Sequence, residues 1–316
     1  MMRKLFLNLE SQTSYDERAR LLASDDPREW DRIEFPLEIA AELASVCNLR
    51  CVMCPVPTTS RPPELMKEEV FAAVVAQAGA ESGFILLPQG FGETFLHPRW
   101  ADFLGRARAK GIGPIVLLTN GMLLDSRNIE RILALEIDGL LVSIDGVTQE
   151  TYGSVRVGGN LAKVEANVMA FLAARGERPR PHLALRIIRM SETEGEVEAF
   201  LERWRARVGP SDLVLINEYN DWAGKVDDRR VAERQAPSQD ARVPCRMLWR
   251  NLSVQADGRV SACCHDSEAE LIVGDLKAGE SLGEIWRGEK LQRLRTLHRE
   301  GRLEELPICA GCRNWG

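Results

Sequence analysis

The chain has 316 residues, 45% of them hydrophobic and 28% charged, and a formal net charge of −6. This length predicts about two domains with buried cores, and the acidic balance argues against nucleic acid as a partner. The N-terminal apolar run ends at Leu9, and no stretch reaches the roughly 18 apolar residues that span a membrane. We therefore expect a cytoplasmic protein without a membrane partner, in which the eight cysteines stay reduced.

Residues 1–35 are polar and predict a helical N-terminal extension, either a lid or a packing element. After them, apolar strand-like runs alternate with amphipathic stretches of helix length. The strands are predicted at 37–44, 83–88, 114–118, 139–144, 182–188 and 212–216, and the helices at 67–80, 98–110, 125–135, 161–175 and 192–207. This alternation predicts an α/β fold, a partial (β/α)6 TIM-like barrel over residues 36–218.

The alternation stops after the sixth predicted strand. Residues 219–243 are polar and predict a linker, and residues 244–316 predict a small second domain. This domain opens with a hairpin that turns at Asp257-Gly258. A helix is expected at 281–299, and a Cys-x2-Cys pair follows near the end of the chain.

Three cysteines, Cys47, Cys51 and Cys54, follow the first predicted strand at x3 and x2 spacing. Three thiolates are one short of the usual set for a [4Fe–4S] cluster, so one iron would stay open to another ligand. Structural zinc normally takes four ligands, often in a pairwise Cys-x2-Cys pattern. The spacing favours an iron–sulfur cluster and leaves zinc as the alternative.

Small and polar residues follow the next three predicted strands. They are Gly92-Glu93, Thr119-Asn120-Gly121 and Ser143-Ile144-Asp145-Gly146. Each motif alone is more often a turn than a binding site. Because the carboxyl ends of parallel strands meet at one edge of a barrel, we expect these motifs to gather beside the cysteines.

With these motifs the chain resembles the radical S-adenosylmethionine (SAM) superfamily from about residue 37 onward. The resemblance implies that Cys47, Cys51 and Cys54 hold a [4Fe–4S] cluster whose open iron binds SAM. It also implies a set of SAM-binding residues and a flavodoxin- or ferredoxin-type electron donor. The SAM-binding set is Gly92, Glu93, Asn120, Ser143 and Arg156, the last from a Tyr-x3-Arg pattern that starts at Tyr152. The Gly-Gly-Glu-Pro of the family is replaced here by Phe91-Gly92-Glu93-Thr94.

A second group of cysteines lies in the C-terminal domain: Cys245, Cys263, Cys309 and Cys312. Their arrangement resembles the Twitch variant of the SPASM domain, which holds one auxiliary [4Fe–4S] cluster through four cysteines. A zinc knuckle is the alternative. The spacing from Gly258 favours Cys263 over the adjacent Cys264 as the ligand, but does not exclude Cys264.

The resemblance extends to aminocyclitol (inosamine-type) dehydrogenases of antibiotic biosynthesis, small relatives with a single auxiliary cluster. It implies that a 5′-deoxyadenosyl radical removes a hydrogen atom from a carbinol carbon and that an electron then passes to the auxiliary cluster. The expected substrate is an aminocyclitol or aminoglycoside-like sugar, oxidised from secondary alcohol to ketone. Glu218 and Asp221, which follow the sixth strand, are expected to face this substrate.

Three other functions stay open. A sugar epimerase would need a thiol to return hydrogen, and Cys264 is the one cysteine outside the two proposed ligand sets. A peptide-modifying enzyme is the second, although only about 35 residues precede the predicted barrel, fewer than a peptide-recognition domain needs. A non-enzymatic iron–sulfur or zinc scaffold is the third, and would make the strand-end motifs accidental.

Overall fold

The structure, a computed structural model, describes residues 13–76, 83–226 and 244–313. Its strands are β1 Glu38–Ala41, β2 Arg50–Cys51, β3 Ile85–Leu87, β4 Val116–Thr119, β5 Gly139–Ser143, β6 Arg156–Val157, β7 His182–Arg189, β8 Leu213–Glu218, β9 Asn251–Val254, β10 Arg259–Ser261 and β11 Ile272–Asp275. Its α-helices are α1 Thr13–Leu22, α2 Pro27–Trp30, α3 Glu68–Ala76, α4 Trp100–Ala109, α5 Ser126–Ala134, α6 Gln149–Val155, α7 Leu161–Arg175, α8 Val197–Arg205, α9 Leu282–Arg287, α10 Glu289–Glu300 and α11 Pro307–Ala310. None of these helices is long and apolar enough to cross a bilayer.

The predicted strands form an open parallel barrel. Strand β1 pairs with β3, and β4, β5, β7 and β8 pair in that order, all in parallel. A parallel bridge between Leu86 and Ile115 joins the two groups. The prediction of a partial barrel is therefore confirmed, with helices α3, α4, α5, α7 and α8 between successive strands.

The C-terminal domain continues the barrel sheet. Strand β9 pairs in parallel with β1 on the side away from β3, and the hairpin β9–β10 extends outward to β11. The hairpin turn at Asp257-Gly258 falls where it was predicted, with Gly258 at a φ of +96°. One sheet edge of the barrel is therefore covered by the second domain.

The inside of the barrel is layered. Side chains of alternate residues point inward, because the side-chain period of a strand is two. The lower layer is an apolar cluster of Ala40, Ile85, Leu87, Val116, Leu141 and Ala184. Two residues further along β1, β3, β5, β7 and β8 the lining becomes polar, with Glu42, Gln89, Ser143, Arg186 and Asn217. A polar chamber thus lies above an apolar floor.

The N-terminal extension is a packing element. Tyr15 of α1 packs against the apolar floor, and Arg18 donates to the carbonyl of Gly83, just before β3. Burial raises the pKa of Tyr15 to about 12. Because the floor lies between α1 and the polar chamber, α1 closes the end of the barrel opposite that chamber.

Two predicted helices differ from the structure. The helix expected at 281–299 is split into α9 and α10, because Gly288 adopts an extended conformation that ends one helix and starts the next. A capping box of Ser281 and Glu284 begins α9. The helix expected at 67–80 is observed over Glu68–Ala76, and its remainder lies outside the described residues.

The predicted linker begins inside the folded structure. Tyr219 is buried, and Trp222 lines the polar chamber. The rest of the predicted linker, from residue 227 to 243, lies outside the described residues.

Candidate active site

A cavity of about 500 Å³ occupies the polar chamber at the carboxyl ends of the barrel strands. Cys47, Cys51 and Cys54 all line it. Residue Cys51 belongs to β2, which pairs antiparallel with β6 and places Cys51 directly opposite Arg156. The short β2–β6 ribbon therefore fixes the cysteine loop against the end of the barrel.

The surroundings of the three cysteines suit thiolate ligands. The backbone N–H of Leu49 donates to Cys47 Sγ at 3.5 Å, and Arg156 Nη1 donates to Cys51 Sγ at 3.8 Å. Burial raises the pKa of each thiol, that of Cys54 to about 12. Cluster binding would displace these protons, and the two donors would then stabilise the anionic sulfurs.

The spacing of the side chains bears on the zinc alternative. Across residues 13–76, 83–226 and 244–313, no three His, Cys, Asp or Glu side chains converge closely enough to hold one metal ion. Structural zinc takes four protein ligands, whereas Cys47, Cys51 and Cys54 are three, the number that leaves one iron of a [4Fe–4S] cluster open. The number of cysteines in this cavity therefore fits such a cluster.

Gly92 allows the Gly-Glu motif to approach the cysteine loop. A Cβ atom at this position would lie 2.1 Å from the carbonyl oxygen of Ala44 and 2.4 Å from that of Val46. The next residue, Glu93, donates its backbone N–H to Val46 at 2.9 Å. Only glycine fits here, so this glycine has a packing reason that is independent of any motif.

The Glu93 carboxylate joins two strand ends. It accepts from the Thr119 hydroxyl and from the Asn120 backbone N–H, each at 2.9 Å. Burial raises its pKa, against the lowering effect of these hydrogen bonds. The Asn120 side chain in turn donates to Asn48 at 2.9 Å, within the cysteine loop. The second and third strand-end motifs and the cysteine loop thus form one connected unit, as their placement predicted.

Arg156 and Ser143 also line the cavity, but both already have partners. Arg156 donates to Asp145 from Nε at 2.7 Å and forms a buried ion pair with it at 2.6 Å. The other Asp145 oxygen accepts from the backbone of Ile188. Ser143 Oγ accepts from Arg186 at 2.6 Å. The guanidinium of Arg156 is therefore oriented by Asp145 toward Cys51, with SAM binding still a prediction.

The four C-terminal cysteines meet in a second, smaller cavity. Its lining includes Cys245, Cys263, Cys309 and Cys312. Cys264 is absent from this lining and instead faces the first cavity. This geometry supports Cys263 as the fourth ligand, and the backbone N–H of His265 donates to its sulfur at 3.3 Å. Burial raises the pKa of Cys263 as well.

The two cavities share a thin wall. Cys263 and His265 line both of them, while Trp222 lines the first and its neighbour Ala223 lines the second. The indole N–H of Trp222 donates at 2.8 Å to the carbonyl of Met53, inside the cysteine triplet. Its ring meets His265 edge-on at 5.3 Å. Trp222 thus contacts the loops of both cysteine groups.

The two predicted substrate residues are placed differently. Glu218 lines the first cavity, but Asp221 does not. Trp222 and Ala223 adopt left-handed backbone conformations, with φ of 52° and 57°, which reverse the chain and bring Trp222, rather than Asp221, to the cavity. Such conformations are rare for residues with a Cβ atom, and a sequence pattern does not reveal them.

Several polar residues of the cavity were not predicted. They are Glu42, Arg61, Arg186, Asn217 and Gln255. Most of them could have been found from the alternation of side chains along a strand, which places every second residue on the same face. Glu42 lies two residues after Ala40, and Arg186 lies two residues after Ala184. Apolar neighbours on the outward face masked this signal.

Two protein-family models match the chain. The radical SAM superfamily model matches residues 42–203, half of the chain. The SPASM model, described as an iron–sulfur cluster-binding domain, matches residues 245–313. The two matches correspond to the barrel and to the C-terminal domain of the structure.

Curated relatives match over the barrel. An AdoMet-dependent heme synthase of Methanosarcina barkeri is 37% identical over 125 residues, which are 38% of this chain and 34% of that protein. A GTP 3′,8-cyclase of Chlorobaculum tepidum is 29% identical over 117 residues, 36% of this chain and 34% of that protein. An uncharacterised protein of Treponema pallidum is 35% identical over 129 residues, which are 40% of this chain and 32% of that protein. The match thus spans about a third of each relative's length.

Solved structures share the fold over most of the chain. BtrN in complex with AdoMet and 2-DOIA superposes with a TM-score of 0.59 at 15% identity, covering 88% of this chain and 93% of that one. AnSMEcpe with bound AdoMet superposes with a TM-score of 0.63 at 16% identity, and the match covers 88% of this chain and 90% of that one. Streptococcus suis SuiB bound to S-adenosylmethionine superposes with a TM-score of 0.64 at 12% identity, and the match covers 94% of this chain and 77% of that one. These likenesses confirm the fold of the predicted barrel with a small C-terminal domain.

Proposed function

Because the chain belongs to the radical SAM superfamily, we propose that it oxidises a secondary alcohol of an aminocyclitol or aminoglycoside-like sugar to a ketone. Its cofactors are SAM and two iron–sulfur clusters, one in each of the two matched domains. When bound, the first cluster and SAM supply a 5′-deoxyadenosyl radical, and the auxiliary cluster supplies an electron acceptor. In the proposed reaction the carbinol carbon loses a hydrogen atom, the hydroxyl loses a proton, and one electron leaves.

The thin wall between the two cavities is the observation that carries this proposal. An alcohol oxidation needs its electron acceptor close to the substrate, and Cys263 and His265 face both sites. The four cysteines of the second cavity leave no open position for substrate on a cluster that they bind. Electron acceptance is therefore the task that suits this second site.

The residues of the first cavity have separate tasks in this proposal. Cys47, Cys51 and Cys54 hold the cluster, and a second group binds SAM. The SAM-binding group is Gly92, Glu93, Asn120, Ser143 and Arg156. Glu218 offers a carboxylate to a ring ammonium of the substrate. The rings of Phe91 and Trp222 pack with centroids 5.4 Å apart and give this side of the cavity an apolar wall.

A structure of similar size supports a small substrate. BtrN, which this chain covers over 93% of its length, is described in complex with AdoMet and 2-DOIA. The cavity of about 500 Å³ is also lined by the three cysteines and the SAM-binding group, so a substrate would share this volume with SAM and the cluster and would have to be small.

Epimerisation is the second candidate function, because Cys264 faces the first cavity. Burial raises the pKa of its thiol to about 11, so the sulfur keeps its hydrogen near neutral pH. A protonated thiol at a substrate cavity is the group that an epimerase needs to return hydrogen to a carbon radical.

One experiment separates the two candidates. The protein is loaded anaerobically with iron and sulfide and incubated with SAM, reductant and a panel of aminocyclitols in D₂O. Ketone and 5′-deoxyadenosine in equal amounts support the dehydrogenase. A stereoisomer that carries one solvent deuterium, and whose formation is lost in Cys264→Ala, supports the epimerase. If 5′-deoxyadenosine forms without either product from any member of the panel, the proposed substrate class is wrong.

A further inference from the structure

Arg186 is a half-buried cation with an incomplete set of partners. It lies on β7, in the polar layer of the barrel, and lines the first cavity. Its Nη2 donates to Ser143 Oγ at 2.6 Å, while its Nε is buried and has no hydrogen-bond partner within the described ranges. Burial lowers its pKa to about 10, and nearby Asp145 only partly offsets this effect.

Asp145, the carboxylate that acts on Arg186, is already paired with another arginine. Asp145 is completely buried and forms its ion pair with Arg156, and its second oxygen accepts from Ile188 N–H at 2.6 Å. A buried charge without a counterpart is costly unless hydrogen bonds from a ligand complete its shell. The guanidinium of Arg186 therefore offers spare donors to the cavity.

Two amide side chains have unpaired hydrogen-bond acceptors, whereas Arg186 has an unpaired donor. Asn217 lies on β8 next to β7, in register with Ile188, so Arg186 and Asn217 are diagonal neighbours on the inner face. Asn217 Oδ1 is buried without a partner in the part of the chain that the structure describes, and so is Gln255 Oε1. Both residues line the first cavity, and Gln255 is only 4% exposed.

The positions of these residues follow from the sheet. Asn217 lies near the end of β8, one edge of the open barrel, and Gln255 directly follows β9, which lies at the other edge beside β1. The two unpaired acceptors thus flank the seam of the barrel, with the unpaired donor of Arg186 one strand further in. All three lie at the polar end of the chamber, above the apolar floor.

A hydroxyl group satisfies both polarities at once, because its oxygen accepts and its hydrogen donates. We propose that Arg186, Asn217 and Gln255 form a subsite that recognises the hydroxyl groups of a polyhydroxylated ring. Arg186 donates to the oxygen of one hydroxyl group on the ring, and Asn217 and Gln255 accept from other hydroxyl groups. This inference rests on the proposed function, since it assigns residues to the recognition of the same substrate class.

The test measures binding rather than turnover. Cluster-loaded protein saturated with SAM is titrated by calorimetry with three ring probes: scyllo-inosamine, myo-inositol and cyclohexylamine, of which the last has no hydroxyls. The variants are Arg186→Met and Asn217→Leu, which keep size and remove the polar groups. Arg178→Gln is the control, because Arg178 is exposed and, among the residues that the structure describes, its guanidinium donates to Ala174 of its own helix terminus.

We expect wild type and Arg178→Gln to bind the two polyols, and cyclohexylamine at least tenfold more weakly. Arg186→Met should weaken the binding of both polyols about 10- to 100-fold, since a hydrogen bond to a charged group contributes about 1.5–3 kcal/mol. Asn217→Leu should weaken it about 3- to 10-fold, as a neutral bond does. Affinity for SAM should stay within about twofold of wild type in Asn217→Leu. Arg186→Met also removes the hydrogen bond to Ser143 of the SAM-binding group, so its polyol affinity is measured at a SAM concentration that saturates this variant.

Three outcomes would overturn the subsite: no polyol binding by wild type, unchanged polyol affinity in both variants, or an equal loss for polyols and cyclohexylamine. Unchanged affinity together with ketone formation by wild type would leave the proposed reaction in place and remove only the subsite. Binding that depends on Arg186, without ketone formation from any polyol, would support the subsite and contradict the dehydrogenase.

Discussion

At the scale of single residues, the site depends on the carboxylate of Glu93 and on the missing side chain of Gly92. Glu93 supplies a carboxylate that joins the Thr119 and Asn120 loop to the cysteine loop. Gly92 has no side chain, and the cysteine loop requires this because two backbone carbonyl oxygens occupy the space that a Cβ atom would fill. A buried backbone oxygen cannot move aside as the end of a flexible side chain can.

We therefore expect Gly92→Ala to displace the cysteine loop and to prevent cluster binding at Cys47, Cys51 and Cys54. Iron per chain should fall from about eight to about four, because the auxiliary site is not touched. The measurement is iron and sulfide content after anaerobic loading, together with the electron paramagnetic resonance signal of the SAM-binding cluster. Gly195→Ala is the matched control, since a Cβ atom at Gly195 meets nothing within 4 Å. Full iron content in Gly92→Ala would contradict this account.

The adjacent cysteines of the C-terminal domain give a second prediction. Cys263 faces both cavities, whereas Cys264 faces only the first. Cys263→Ser should remove the auxiliary cluster and about half of the iron, and Cys264→Ser should keep both clusters. Visible absorption and iron analysis of the two variants are compared with wild type. The reverse pattern would make Cys264 the ligand and would remove it as a hydrogen donor.

A buried ion pair at the cavity wall makes a larger contribution to stability than surface pairs do. Glu42 forms a salt bridge with Arg61, and its carboxylate also accepts from Phe91 and Ala256 N–H groups, each at 3.1 Å. Arg61→Met would leave the buried carboxylate without its cation, which should cost about 3–5 kcal/mol. The control Arg28→Met removes an exposed pair with Asp26, which water screens, and should destabilise the fold far less than Arg61→Met does. Anaerobic urea unfolding gives both values, and equal values would show that the Glu42 pair is not buried in solution.

At the scale of elements, helix α6 depends on a residue from another part of the chain. Glu196 accepts from the Thr148 hydroxyl at 2.7 Å and the Thr151 hydroxyl at 2.8 Å, at the first turn of α6. This helix leads directly into β6, which carries Arg156 opposite Cys51. The position of Arg156 at the cavity is thus set partly by Glu196.

The Glu196 contact predicts a pH dependence. Burial alone would raise the pKa of Glu196, but the hydrogen bonds from Val147, Thr148 and Thr151 outweigh it and hold the pKa below its usual value. A carboxylate with a depressed folded-state pKa stabilises the fold above its unfolded pKa of about 4.3. That stabilisation is lost as the pH falls through the lower folded-state value. The difference in melting temperature between wild type and Glu196→Gln should therefore be constant from pH 7 to 5 and shrink below about pH 4.3. A difference that grows toward acid would reverse the sign of this assignment.

Elements also show what the sequence could predict. The six barrel strands were predictable because buried parallel strands are apolar on both faces and stand out as short runs. The cysteine loop and the Gly92-Glu93 motif were predictable because their spacing is local. The β2–β6 ribbon was not, since each strand has two residues and exists through its tertiary pairing. Arg186 and Asn217 were missed because apolar residues on the outward face of their strands hide the period-two pattern that places them on the inner face.

At the scale of the whole molecule, one continuous sheet joins the two domains. Strand β9 pairs with β1 along Glu38–Ala41, and Leu252 and Val254 of β9 are buried. The C-terminal domain thus covers an edge of the barrel, holds the auxiliary cysteines, and supplies Gln255 to the first cavity. Polar contacts beside the cavity, such as Ser60 N–H to Glu268 at 3.1 Å, fasten the same interface.

Removal of the second domain should therefore affect association as well as cluster content. A chain that ends at residue 243 would expose the backbone groups of β1 as an unpaired strand edge, and such edges pair with other chains. We expect it to form oligomers or aggregates in size-exclusion chromatography with light scattering. The control is the full chain with serine in place of Cys245, Cys263, Cys309 and Cys312, which loses the auxiliary ligands but keeps β9. That variant should elute as wild type does and retain the iron of the first site.

If the shortened chain elutes with the same association state as wild type, β9 is not needed to protect the edge of β1. If the serine variant aggregates as well, the auxiliary cluster rather than the strand pairing maintains the interface.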